Sequence, residues 1–122
     1  MARILIVDDV ETNRFTLKDI IASMGYQPIL TENGQQALKI VERFPVQLII
    51  SDIAMPVMDG YELCERIRDE LTCPILFLSA RTEEKDRVNG FKVGGDDYII
   101  HITSIPHLCD HLHYILLPTM VF

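Results

Sequence analysis

The sequence predicts an α/β fold: a five-stranded parallel sheet, doubly wound, flanked by five helices. Two observations carry that prediction. Apolar runs of strand length recur five times along the chain, and each is followed by a segment whose apolar residues repeat at the spacing of one helix face. Strands alternating with helices in this way need crossover connections, and right-handed crossovers place helices on both faces of the sheet. At 122 residues the chain reads as a single domain, 1–122, built around one core, without repeats, low-complexity tracts or linkers.

The first strand is "ILIV" at 4–7. After it Leu17, Ile20, Ile21 and Met24 mark one face of a helix that ends at Gly25. "PILT" at 28–31 is the second strand, and "GQQALKIVERF" the second helix, with Ala37, Leu38 and Val41 inward. "LIIS" at 48–51 is the third strand. The third helix, "YELCERIRDEL", turns Leu63, Ile67 and Leu71 inward, and Pro74 opens the fourth strand, "ILFLSA". "TEEKDRVNGFKVG" is a weaker helix, polar at its start and with Gly90 lowering its propensity, whose inward residues are Val88, Phe91 and Val93. "YII" at 98–100 is the fifth strand. The last helix starts at Ser104 as N-cap with Pro106 in its first turn, and its stripe is Ile105, Leu108, Cys109, Leu112, Ile115 and Leu116.

Charge and cysteine usage narrow the function. The formal net charge is −7 and no Lys/Arg-rich stripe interrupts it, which argues against direct nucleic-acid binding and against attachment to anionic membranes. Protein partners or cations suit such a surface. Cys64, Cys73 and Cys109 are odd in number and lack a C-x-x-C spacing, so they read as reduced thiols. "MARILIVDD" is too short in its apolar part for a signal peptide or a membrane span, and a cytoplasmic location is expected.

In open α/β sheets, ligands bind at the carboxyl ends of the strands. Strand one ends in Asp8-Asp9, strand three in Ser51-Asp52, strand four in Ser79-Ala80 and strand five in Ile100-His101. An aspartate such as Asp52, followed by Pro56 and by Asp59-Gly60, can also serve only to start a turn. Three carboxylates converging on one edge point further. Like charges so close repel and raise each other's pKa, which a divalent cation relieves; hard oxygen ligands suit magnesium.

"ILIVDD", "SDIAMPVMDG", "ILFLSA" and "GGDDYI" together resemble, in order and spacing, the receiver domain of bacterial two-component response regulators, over the whole chain up to Ile100. The resemblance implies a flavodoxin-like sheet of strand order 2-1-3-4-5. It implies that Asp52 is the phosphoacceptor, and that Asp8, Asp9, Asp52 and the backbone carbonyl of Ala54 hold Mg2+. Ser79 supplies the hydroxyl that bonds the phosphoryl oxygen, and Tyr98 is the aromatic switch residue. The implied donor is a histidine kinase or phosphotransfer protein, and the implied reader a downstream protein partner or an output domain. Such a domain catalyses its own phosphorylation and dephosphorylation and is not an enzyme acting on a separate substrate.

The sequence departs from the family after strand five, in an atypical segment from about residue 101. His101 stands at the lysine position, Ile102 at the proline and Thr103 at the usual aromatic. A cis bond before Ile102 costs about 3 kcal/mol, so a trans bond is expected. Two readings of His101 stand side by side. It protonates beside the acids and replaces the lysine in part, or it points away and the chain is a phosphorylation-impaired pseudo-receiver, a constitutive interaction module. All four histidines, His101, His107, His111 and His113, come after Lys92, beyond which there is no Lys or Arg. His107 and His111 at i, i+4 read as a solvated helix face rather than a metal pair. Met55 and Met58 read as loop packing.

The apolar tail "ILLPTMVF" suits packing on the domain, a partner interface or an excised chain, and dimerisation through helix four, strand five and helix five is among the expectations. The length leaves no room for an output domain, so the chain works alone or belongs to a larger regulator. A flavin carrier of similar topology fits less well, because "DDVETN" puts acids where a phosphate loop needs hydroxyls and glycines.

Overall fold

The computed structural model of the chain describes residues 2–52, 55, 57–68, 73–78, 97–99 and 112. Within them the sheet has the order β2-β1-β3-β4-β5: β1 (Arg3–Val7), β2 (Gln27–Thr31), β3 (Leu48–Ser51), β4 (Ile75–Leu78) and β5 (Asp97–Ile99). Every neighbouring pair is parallel. The described helices are α1 (Glu11–Ser23), α2 (Gly34–Arg43) and α3 (Gly60–Arg68).

Side chains alternate along a strand, so an unbroken apolar run survives only where both faces are covered. That is the case here. Leu5, Val7, Ile49, Ile75 and Phe77 share one core with Ala37 and Val41 of α2 and with Leu63, Cys64 and Ile67 of α3. Their strand neighbours Ile4, Ile6, Leu48, Ile50 and Leu76 share the opposite core with Leu17 and Ile21 of α1 and with Leu112. The period-2 split of consecutive residues between two helix layers is the doubly wound arrangement that the sequence predicts. Tyr61 adds an edge-on contact to Phe77, ring centroids 5.1 Å apart.

The ends of the elements obey local chemistry. Gly25, at φ 89°, closes α1 in the left-handed conformation that glycine adopts without a Cβ clash. Pro28 is tolerated in β2 because β2 is an edge strand. Asn33 caps α2 by accepting a bond from the Gln36 amide at 2.9 Å, while Gln36 Oε1 accepts from the Glu32 amide at 2.8 Å. Asp59 caps α3, accepting at Oδ1 from the Glu62 amide at 2.8 Å.

Leu17, Ile21, Ala37, Val41, Leu63, Ile67 and Leu112 are buried as the periodicity predicts, while Ile20, Met24 and Leu38 sit half-buried at the rims. Helix α3 starts one residue earlier than expected, at Gly60, and β5 starts one residue earlier, at Asp97, while Ile100 lies outside the described residues. Leu71, the fourth predicted helix, and all of the last predicted helix except Leu112 lie outside the described residues. Among the described residues no helix is long and apolar enough to cross a membrane.

Helix α2 meets the β3–α3 connection closely. A Cβ on Gly34 would lie 2.6 Å from Sδ of Met58, 3.1 Å from its Cγ and 3.2 Å from its Cβ, and Met58 is buried. An alanine favours a helix by about 1 kcal/mol over glycine, but overpacking a filled site costs about 1–3 kcal/mol. Urea denaturation of Gly34→Ala should therefore show a net loss of up to about 2 kcal/mol, and adding Met58→Ala should make the Gly34→Ala change neutral or favourable.

Candidate functional site

Strands β1 and β3 are neighbours with Val7 opposite Ser51, so the next residue of each, Asp8 and Asp52, leaves the sheet at one level. The ladder extends one bond further, from the Asp52 amide to the Val7 carbonyl at 2.9 Å. On the other side the Asp8 amide donates to the Thr31 carbonyl at 3.2 Å, at the end of β2. Carboxylate oxygens of Asp8, Asp9 and Asp52 lie within 4.8 Å of one another. Asp8 is buried, Asp52 half-buried and Asp9 exposed, so the cluster grades from the interior to solvent.

Burial pushes the Asp8 carboxyl above its ordinary value, and the neighbouring Asp9 charge adds to the rise. The Val10 amide, which donates to Asp8 Oδ1 at 2.9 Å, the Asn13 side chain and the Arg14 charge pull the other way. Repulsion between like charges contributes, but loss of water around Asp8 is the larger cause. Three oxygen donors gathered around a shared point, one of them desolvated and held by hydrogen bonds, are suited to a hard divalent cation.

Of the site residues predicted from sequence, Asp8, Asp9 and Asp52 are brought together. Ser79, His101 and Ala54 lie outside the described residues, as do His107 and His111. Tyr98 is placed by its backbone in the middle of β5, in register with Phe77 of β4. Met55 and Met58 are buried, in keeping with loop packing. Cys64 is a buried thiol and Cys73 a half-buried one.

Three residues of the site were missed by sequence reasoning. Asn13 bonds the Asp8 carboxylate, Arg14 donates through Nη1 to the Asp8 carbonyl at 2.9 Å, and Glu32 faces Arg14 Nη2 at 3.6 Å. Glu32 is the first residue beyond β2, and the rule that strand ends gather ligands, applied to the second strand as well, would have found it. The turn after Asp52 also differs from its reading. Gly60 does not carry the unusual backbone; Val57 does, at φ 70° and 87% exposed.

A family profile described as the response regulator receiver domain matches residues 4–113. A probable transcriptional regulator ycf27 from Cyanidium caldarium is 41% identical over 97 residues, which is 80% of this chain and 39% of that protein. The chain spans about two fifths of the length of the curated relatives it matches. A two-component response regulator from Clostridium difficile superposes with a TM-score of 0.91 at 30% identity, over 95% of this chain and 96% of that one. The response regulator TrrA from Thermotoga maritima, in complex with Mg(2+)-BeF, gives 0.86 at 30% identity, over 95% and 100%.

The site makes two testable predictions. A β-branched residue in the left-handed region costs about 1–2 kcal/mol, so Val57→Gly should raise stability by about 1 kcal/mol in urea denaturation after its gain in unfolded-state entropy is subtracted. Asp8 takes up its proton at higher pH in the folded than in the unfolded chain, so its contribution to stability is full below the ordinary value of 3.8 and lost as pH rises through the raised one. In EDTA, Asp8→Asn, neutral throughout and still able to accept from Val10, should melt above the wild type at pH 7. That advantage should vanish below pH 3.8.

Proposed function

The chain belongs to the response regulator receiver domain family of two-component signalling, and on that premise we propose that it accepts a phosphoryl group on Asp52 and so switches a surface that a protein partner reads. The donor is the phosphohistidine of a histidine kinase or phosphotransfer protein. The observation that carries this reading is the convergence of Asp8, Asp9 and Asp52 at the carboxyl ends of β1 and β3.

A carboxylate attacking phosphorus in line needs positioning and charge neutralisation more than it needs a base. One oxygen of Asp52 forms the new O–P bond as the N–P bond to the donor imidazole breaks, and the imidazole leaves with the electron pair. The ladder bond from the Asp52 amide to Val7 fixes the backbone from which the nucleophile projects. Asp8, held by Val10 and Asn13, and Asp9 would hold Mg2+ with Asp52 and the Ala54 carbonyl. Magnesium, when bound, neutralises charge on the phosphoryl oxygens. The T. maritima relative with Mg(2+)-BeF supports that assignment.

Phosphorylation adds negative charge and acceptor oxygens at Asp52. Ser79 supplies the hydroxyl that approaches them, and Tyr98 in β5 transmits the change to the face used by the partner. That partner is an output domain or a separate protein, in keeping with relatives that are longer and are named transcriptional regulators.

His101 at the lysine position favours a second reading, an interaction module that is impaired in phosphorylation. Intact mass after incubation with acetyl phosphate separates the two. The phosphoacceptor reading expects one phosphoryl adduct that needs magnesium and is lost in Asp52→Ala. An adduct seen only in His101→Lys establishes the second reading, and none in the wild type or in His101→Lys contradicts the first.

A further inference from the structure

Resting on the reading of the acidic cluster as a cation site, we propose that Arg14 is a positioning residue for that site, clamping the β1–α1 corner so that Asp8 meets the cation in a fixed geometry. Arg14 lies in the first turns of α1 with a side chain only 12% exposed. Its Nη1 donates to the carbonyl of Asp8 at 2.9 Å, and its Nη2 lies 3.6 Å from Oε1 of Glu32, just beyond β2. The planar guanidinium thus ties the residue after β1 to the residue after β2 with one rigid fork.

Asp8 is thereby held on three sides. Its amide bonds Thr31 of β2, its carbonyl bonds Arg14 of α1, and its Oδ1 accepts from Val10. A carboxylate fixed in this way loses little freedom on taking up a cation. The position of Arg14 is otherwise unfavourable, because a fixed positive charge beside a cation site opposes binding. Glu32 offsets part of that charge across the contact. The bond of Arg14 is to the backbone carbonyl and not to the carboxylate, so geometry rather than charge accounts for its place.

Charge and geometry predict opposite signs for its removal. Arg14→Met deletes a repelling charge, so electrostatics alone tightens magnesium binding, whereas loss of the clamp weakens it. Partners behind a metal's ligands typically change affinity by about 10–100-fold.

The experiment is calorimetric titration of the full chain with MgCl2, for the wild type, Arg14→Met, Arg14→Lys and Glu32→Gln. Hydrogen exchange at the Val10 amide is measured on the same metal-free proteins. The clamp predicts affinity about tenfold weaker in Arg14→Met, intermediate loss in Arg14→Lys, whose single ammonium cannot hold both partners, and faster Val10 exchange. Magnesium bound by Arg14→Met or by Arg14→Lys as tightly as by the wild type, or more tightly, overturns the clamp alone. A wild type that binds no magnesium overturns the cation reading and the proposal with it.

Discussion

Everything distinctive in this domain depends on holding carboxylates of Asp8, Asp9 and Asp52 within 4.8 Å of one another, with Asp8 out of contact with water. Such an arrangement is unfavourable by itself. Desolvation disfavours the charged form of Asp8, and the Asp9 charge makes it worse. The fold sustains the arrangement because apolar packing on both faces of the sheet stabilises the frame. Strands β1 and β3 are among its most deeply buried parts, with Leu5, Ile6, Leu48 and Ile49 fully covered. Truncating residues of this kind costs about 2–5 kcal/mol each, so the frame resists relaxing to separate the charges. The stored repulsion is then available to a ligand, since whatever neutralises the edge recovers it.

The loop after Asp52 is tied into the same frame. Met58 rests against Gly34 at the start of α2, Asp59 caps α3, and Met55 is buried in the core on that face. Val57 projects into solvent, in a conformation that a valine rarely adopts. Strained backbone of this kind persists only where the surrounding structure holds it, and here Met55, Met58 and Asp59 supply that hold.

Much of the frame was legible in the sequence because it rests on local patterns. Runs such as "ILIV" and "LIIS" announced strands covered on both faces, and the spacing of Leu17 and Ile21 announced the buried stripe of α1. The convergence of Asp8 and Asp52 needed only the rule that strand ends gather ligands, while the strand order itself came through family resemblance. What stayed hidden depends on contacts between residues distant in sequence. The Thr31 bond to Asp8, the reach of Arg14 from α1 to Glu32, and the tight approach of Gly34 to Met58 are set by how elements pack. Periodicity does not encode that packing. The backbone strain fell on Val57 and not on Gly60 for a similar reason: the turn is dictated by where α3 must start, and the cap at Asp59 fixes that start.

The central claim is that the edge formed by Asp8, Asp9 and Asp52 is a cation-assisted phosphoacceptor site with Asp52 as its nucleophile. Its most direct test is a crystal structure of the chain grown with MgCl2 and beryllofluoride, a mimic of the phosphoryl group. The account predicts beryllofluoride joined to a carboxylate oxygen of Asp52 and one metal ion touching Asp8, Asp9 and Asp52 together. A metal ion bound elsewhere, with Asp52 unmodified, would contradict it.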